Sequence, residues 1–225
     1  MKRIVNVLMG LAALATITAP VSAQDSGAAA KSTRRMVEVY ITNVSKQIIS
    51  PPVVASHDLI GKIFTPGGQA SPELTLLAED GDPTEFAAAL EDSEDVYDVA
   101  VANGPLMPGA TVMLEVEIRG KFDRISAVGM LVTTNDGFFG LDSFVVDRSQ
   151  PNQSTAAPAW DAGTEFNNEL CAFIPGPPCG SHFVRDTADA EGFIHTHPGI
   201  SGVGDLSPAD WQWQNPVVTV WMRTR

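Results

Sequence analysis

Three short segments carry side chains whose types and spacing suit chemistry. Asn135-Asp136-Gly137-Phe138-Phe139-Gly140 is a turn that leads into an apolar strand and bears one carboxylate. Trp160-Asp161-Ala162-Gly163-Thr164-Glu165 bears two more, and Gly163 lets the chain fold back tightly enough to aim Asp161 and Glu165 at one spot. His195-Thr196-His197 sets two imidazoles at i and i+2, on one side of the chain if the segment is extended. Carboxylates gathered together repel and raise one another's pKa, and a hard divalent cation relieves that repulsion. Ca2+ suits an irregular loop because it accepts carboxylates, carbonyls and water at flexible geometry. Acidic turns are also common, so each acid could instead cap a turn or face water.

The histidine pair suits zinc or copper, with Asp205 or His57 as completing ligands. It would serve equally as a hydrogen-bonding pair in a packed loop ahead of Pro198-Gly199. Trp211 and Trp213 also alternate; exposed together they would stack on sugars, and buried they would plug the end of a sandwich. The chain has no G-x-S-x-G, H-E-x-x-H or P-loop signature. An enzymatic reading therefore rests on a metal-dependent hydrolase working through His195 and His197, which requires an open metal position in a cleft.

The elements that would position these residues are strands. Residues 36–42 alternate and are β-branched, and 96–102, 111–119, 125–134, 138–146 and 217–224 also fit strands. Asn103-Gly104-Pro105, Pro108-Gly109 and Asn135-Asp136-Gly137 break them. An extended stretch begins at Pro51-Pro52 and ends at His57. Residues 71–78 form a helix with Ser71 as cap, Pro72 in the first turn, and Leu74, Leu77 and Ala78 on one face. A second short helix spans 84–90, after Gly81-Asp82-Pro83. Residues 150–158 and 167–180 read as long loops. The fold expected is all-β: an antiparallel β-sandwich of about eight strands with short helical insertions and long loops at one end.

The chain's ends and charge bound its setting. Met1-Lys2-Arg3, an apolar run from Ile4 to about Ala19 and Val21-Ser22-Ala23 describe a secretory signal peptide over 1–23. Residues 24–35 form a small, polar leader, and 36–225 one domain without repeats. The expected location is secreted or periplasmic, with no transmembrane segment in the mature chain. Twenty-seven acidic against 14 basic residues disfavour nucleic acid and anionic lipid as partners. Cys171 and Cys179 bracket a turn-rich loop, and an oxidising compartment would join them as a disulfide.

The two acidic segments together resemble the spondin domain, the module of F-spondin and mindin. Trp160-Asp161-Ala162-Gly163-Thr164 is similar residue for residue to that family's Trp-Asp-Ala-Gly-Thr segment, and Asp136 with Gly140 to its Asp-aromatic-Gly strand end. Val54-Ala55-Ser56-His57 resembles its Ser/Thr-His step, and Ala70-Ser71 with Leu77-Ala78-Glu79 its helical insertion. The resemblance spans about residues 36–165. Beyond it, residues 191–197 and 202–206 resemble the bacterial members. It implies a C2-like sandwich binding calcium through Asp136, Asp161 and Glu165. Two departures stand out: Glu165 replaces an Asp, and Gly137 stands where an aromatic is usual. The function implied is a non-catalytic calcium-binding module that engages a protein or glycan outside the cell or at its envelope. A hydrolase and a carbohydrate-binding sandwich are the alternatives.

Overall fold

The computed structural model describes residues 33–225, so the segment 1–23 and most of the leader lie outside the described residues. The fold is an antiparallel β-sandwich of two sheets. One has four strands in the order β4-β1-β10-β7, the other six in the order β3-β2-β5-β6-β8-β9. The strands are β1 (Arg35–Asn43), β2 (Val53–His57), β3 (Val96–Val101), β4 (Thr111–Ile118), β5 (Arg124–Met130), β6 (Gly137–Val145), β7 (Asn152–Ala157), β8 (Ala159–Asp161), β9 (His195–Thr196) and β10 (Val218–Thr224).

The two sheets differ in how they meet solvent, and the residues say why. In β1, Val37, Val39 and Ile41 point inward and meet Val116 and Ile118 of β4, Val220 and Met222 of β10, and Val54, Ala127 and Phe139 of the opposite sheet. Alternation of this kind belongs to a sheet with one wet face. The six-stranded sheet is covered on both faces, and β2 is buried at every position. Its second face packs Val53, Ala55, Val128 and Phe138 under helices α1 (Pro72–Asp80) and α2 (Thr84–Glu91), through Leu74, Leu77, Ala78, Phe86 and Leu90.

Helix α1 starts and stops as its residues dictate. Ser71 Oγ accepts the Leu74 N–H at 3.1 Å, Pro72 occupies the first turn, and Gly81 ends the helix at φ 71° with its N–H on the Leu77 carbonyl. A third helix, α3 (Pro208–Trp211), is one turn long.

Three differences from the sequence expectation have physical causes. Asn152–Ala157 is a strand rather than part of a loop. It is an edge strand paired with β10 alone, so Asn152, Ser154 and Ala156 face solvent and no apolar alternation marks it. Strand β5 ends at Met130, not 134, because side-chain bonds take over the chain reversal: Thr134 Oγ1 donates to the Leu131 carbonyl at 2.6 Å and accepts the Gly137 N–H at 2.9 Å. Strands β8 and β9, of three and two residues, are too short to leave a periodic signal. Residues 167–180 are the loop expected, with a 3-10 turn at Cys171–Phe173 and a Cys171–Cys179 disulfide. Among the described residues no helix is long and apolar enough to cross a membrane.

Candidate metal centre

Strand register assembles the site. Gly137 of β6 pairs with Asp161 of β8, and Asp161 pairs with His195 of β9. Asp136, one residue before β6, Asp161 and His195 therefore meet at the same end of three adjacent strands. The approach is close because two glycines permit it. A Cβ on Gly140 would stand 2.6 Å from Phe64 Cζ and 2.7 Å from Trp160 Cδ1, and Trp160 Nε1 donates to the Gly140 carbonyl at 3.0 Å. A Cβ on Gly137 would stand 2.8 Å from His197 Cδ2. An aromatic at 137 is excluded by that contact, which accounts for the glycine there.

The loop after β8 wraps around Asp136. Its Oδ2 accepts the Thr164 N–H at 2.7 Å, the Thr164 hydroxyl at 3.2 Å and the Glu165 N–H at 3.0 Å, while its carbonyl accepts the Ala162 N–H at 3.2 Å. Its Oδ1 is buried and has no hydrogen-bond partner. Asp161 Oδ1 accepts the Gly163 N–H at 2.8 Å, and its Oδ2 takes the Asn167 amide at 2.5 Å. Glu165 Oε1 accepts the Asp186 N–H at 2.9 Å. The side chains of Asp136, Asp161 and Glu165 are all buried.

Gly163 makes this wrap feasible. It sits at φ 67°, and a Cβ there would overlap the Phe193 backbone. Gly163→Ala combines a left-handed conformation with a backbone clash and is expected to cost about 2–4 kcal/mol. Urea denaturation against the wild type measures it. A loss under half a kcal/mol would show that the loop is not held as described.

Burial and mutual repulsion govern the charge state. Burial, then the neighbouring Asp161 charge, pushes Asp136 up to about 8, against three hydrogen bonds that lower it. Burial raises Asp161 as well, opposed chiefly by its bond from Asn167. Burial and the Glu79 carboxylate, with Asp136 as a smaller cause, push Glu165 up to about 8. Glu79 and Asp80 of α1 are ion-paired with Arg185, whose charge also reaches Glu165.

The histidines divide. His195 Nε2 lies 3.5 Å from Asp161 Oδ1 and 3.9 Å from Glu191 Oε2. One ligand atom from each of Asp161, Glu191 and His195 can be chosen so that all lie within 4.8 Å of one another, a spacing that could hold a metal ion. Of the ligands expected from the sequence, Asp136, Glu165 and His197 are not in that set. His197 Nδ1 accepts the Gly199 N–H at 2.9 Å, its ring packs on Trp213 at 5.0 Å between centroids, and burial drives it down to about 3. Of the completing ligands considered for the pair, His57 is buried between Ser126 Oγ and the Asp58 carbonyl, and Asp205 accepts the Cys171 N–H. The expected His195/His197 pair is thus one candidate ligand and one buried, neutral packing residue.

The two tryptophans are not exposed together. Trp213 belongs to the core between the sheets and Trp211 is half-buried against it, so they plug the sandwich end instead of presenting a platform for sugars. Sequence reasoning missed Glu191 and Asn167. Glu191 is four residues before His195 but on no helix, so the usual i,i+4 signal did not apply; Gly192 at φ 79° helps turn it back. Asn167 sits in a loop without period, where no pattern marks a partner for Asp161. A comparison with protein-family models gives no match for the chain, and a comparison with curated proteins gives none either.

Proposed function

We propose that the chain is an exported, non-catalytic module of the spondin type, in which Ca2+ fixes the loops at one end of the sandwich for recognition of a protein or glycan outside the cell or at its envelope. The observation that carries the reading is the buried pair Asp136 and Asp161, in which Asp136 feels the Asp161 charge and keeps one oxygen without a partner, with Glu165 buried in the loop that wraps Asp136. Buried acids of this kind are costly empty. A hard cation offsets the repulsion and satisfies the orphaned oxygen. Glu165, the expected third ligand, is buried as well. The disulfide stiffening the adjoining loop suits an oxidising compartment.

Support for a recognition surface comes from the neighbouring loops. Phe166, Leu170 and Val203 are exposed around a depression of about 480 Å³ whose lining also includes Asn167, the residue that holds Asp161. An ion that orders Asp161 would order this wall with it.

A ligand confined to the native state raises stability by roughly 2.7 kcal/mol at a hundredfold excess over Kd. The melting temperature should rise with calcium and return on chelation. Asp161→Asn should remove most of the response, since its one carbonyl can still accept the Gly163 N–H and its NH2 can donate to the Asn167 oxygen once that amide turns over, while the charge is lost. A melting curve indifferent to calcium, chelator and substitution would end the calcium reading.

A further inference from the structure

On its other side Asp161 meets a different donor chemistry from that of the proposed calcium ligands. His195 Nδ1 lies 3.1 Å from the Thr196 carbonyl, which can only accept, so Nδ1 bears a hydrogen and Nε2 is the atom free to supply a lone pair to a metal. That atom is buried without a hydrogen-bond partner, and it faces Asp161 Oδ1 at 3.5 Å and Glu191 Oε2 at 3.9 Å. A shared proton would draw Nε2 and Asp161 Oδ1 into a hydrogen bond; at 3.5 Å they do not form one. Acceptors facing acceptors at this separation are what a metal's coordination shell looks like. Ligands about 2.0–2.1 Å from a tetrahedral ion stand about 3.3 Å from one another. A carbonyl holding the far ring nitrogen is also the usual outer support of a metal-bound histidine.

Two further observations point the same way. Asp161 is fully buried, and its Oδ2 is held by Asn167, which fixes Oδ1 toward His195. Asp136, also fully buried, has an unpartnered Oδ1 and feels the Asp161 charge. Glu191 is exposed and closes the set from the loop side.

We infer that Asp161, Glu191 and His195 form a separate site for a borderline divalent metal of the zinc class, with Asp161 shared between it and the proposed calcium site. Imidazole nitrogen selects zinc, cobalt or nickel over calcium. Three protein ligands leave one coordination position for water. The assignment does not depend on calcium occupying the proposed calcium site.

The test uses the purified mature protein stripped of metal and titrated with Co2+, then Zn2+. One Co2+ per chain should bind with a visible absorption band that one equivalent of Zn2+ abolishes and excess Ca2+ does not. His195→Gln should weaken Co2+ binding by about a hundredfold or more, and His182→Gln, at an exposed ring, should not change it. Glu191→Gln should also weaken binding; Glu191 is exposed, so this variant remains informative if His195→Gln fails to fold. Equal Co2+ uptake by the wild type, His195→Gln and Glu191→Gln would overturn the proposal. Stoichiometric displacement of Co2+ by Ca2+ would also overturn it, because one pocket would then serve both ions. Retained His195-dependent Co2+ binding without any calcium stabilisation would sink the calcium reading and leave this site standing.

Discussion

Asp136→Asn is expected to abolish the response to calcium and to reverse the order of stability of variant and wild type between metal-free and calcium-loaded protein. In protein stripped of metal near pH 8, the variant should be more stable than the wild type by about 1–3 kcal/mol. On adding calcium the wild type should gain and the variant should not, so their order reverses. Asn is close to isosteric, and its carbonyl can accept the Thr164 and Glu165 N–H groups now bonded to Oδ2. Its NH2 falls where Oδ1 has no partner and can donate to the neighbouring acids. The substitution thus removes a buried charge and an orphaned acceptor while keeping the wrap of the loop. Chemical denaturation of both proteins, with chelator and with calcium, measures the effect. A variant less stable than the wild type in chelator would mean that Asp136 is a simple loop anchor.

Where the sequence could be read, one residue or one contact decided the matter. Ser71, Pro72 and Gly81 marked α1 because capping is local chemistry that needs no tertiary partner. The Asn135–Gly137 turn was legible for the same reason. The edge strand β7 was not, because its sequence, NQSTAA, has neither the β-branched run nor the alternation of a covered strand. Its pairing with β10 comes from tertiary placement, and only one of its neighbours is a strand.

The site divides in the same manner. Asp136, Asp161 and Glu165 stood out because a glycine-bearing turn can gather its own acids. What the turn could not reveal is that β9 runs beside β8, which brings His195 against Asp161 from 34 residues along the chain. Two-residue periodicity let His195 and His197 share a side, but β9 ends at Thr196, and His197 turns onto Trp213 and Gly137 instead. An alternation argument holds only as far as the strand does.

The stability gained on binding calcium should be negligible near pH 4 and grow until about pH 8. The sign follows from the folded-state pKa values. Asp136 and Glu165 lie at about 8 in the folded protein, well above the ordinary 3.8 and 4.5. A raised folded pKa leaves stability intact below the unfolded value and removes it as pH climbs through the folded value. Stripped protein should therefore lose stability between about pH 4 and 8. One pKa unit is about 1.4 kcal/mol, so shifts of this size in two groups amount to several kcal/mol even if relaxation recovers half. His197 acts on the other limb. Its folded pKa is lowered from 6.5 to about 3, so its contribution is present above 6.5 and lost as pH falls toward 3. The stripped protein should be most stable at about pH 4, because above it the two carboxylate limbs outweigh the single His197 limb and below it only His197 acts. Calcium keeps the carboxylates ionised at little cost, so it should lift the alkaline limb and leave the acid limb alone. His197→Gln should flatten the acid limb without touching the calcium-dependent difference, provided it folds against Gly137. Melting temperatures from about pH 3 to 9, in chelator and in saturating calcium, resolve the two limbs. A calcium gain that is flat across that range would show that the buried carboxylates are already ionised without the ion, and that repulsion among them is not what calcium relieves.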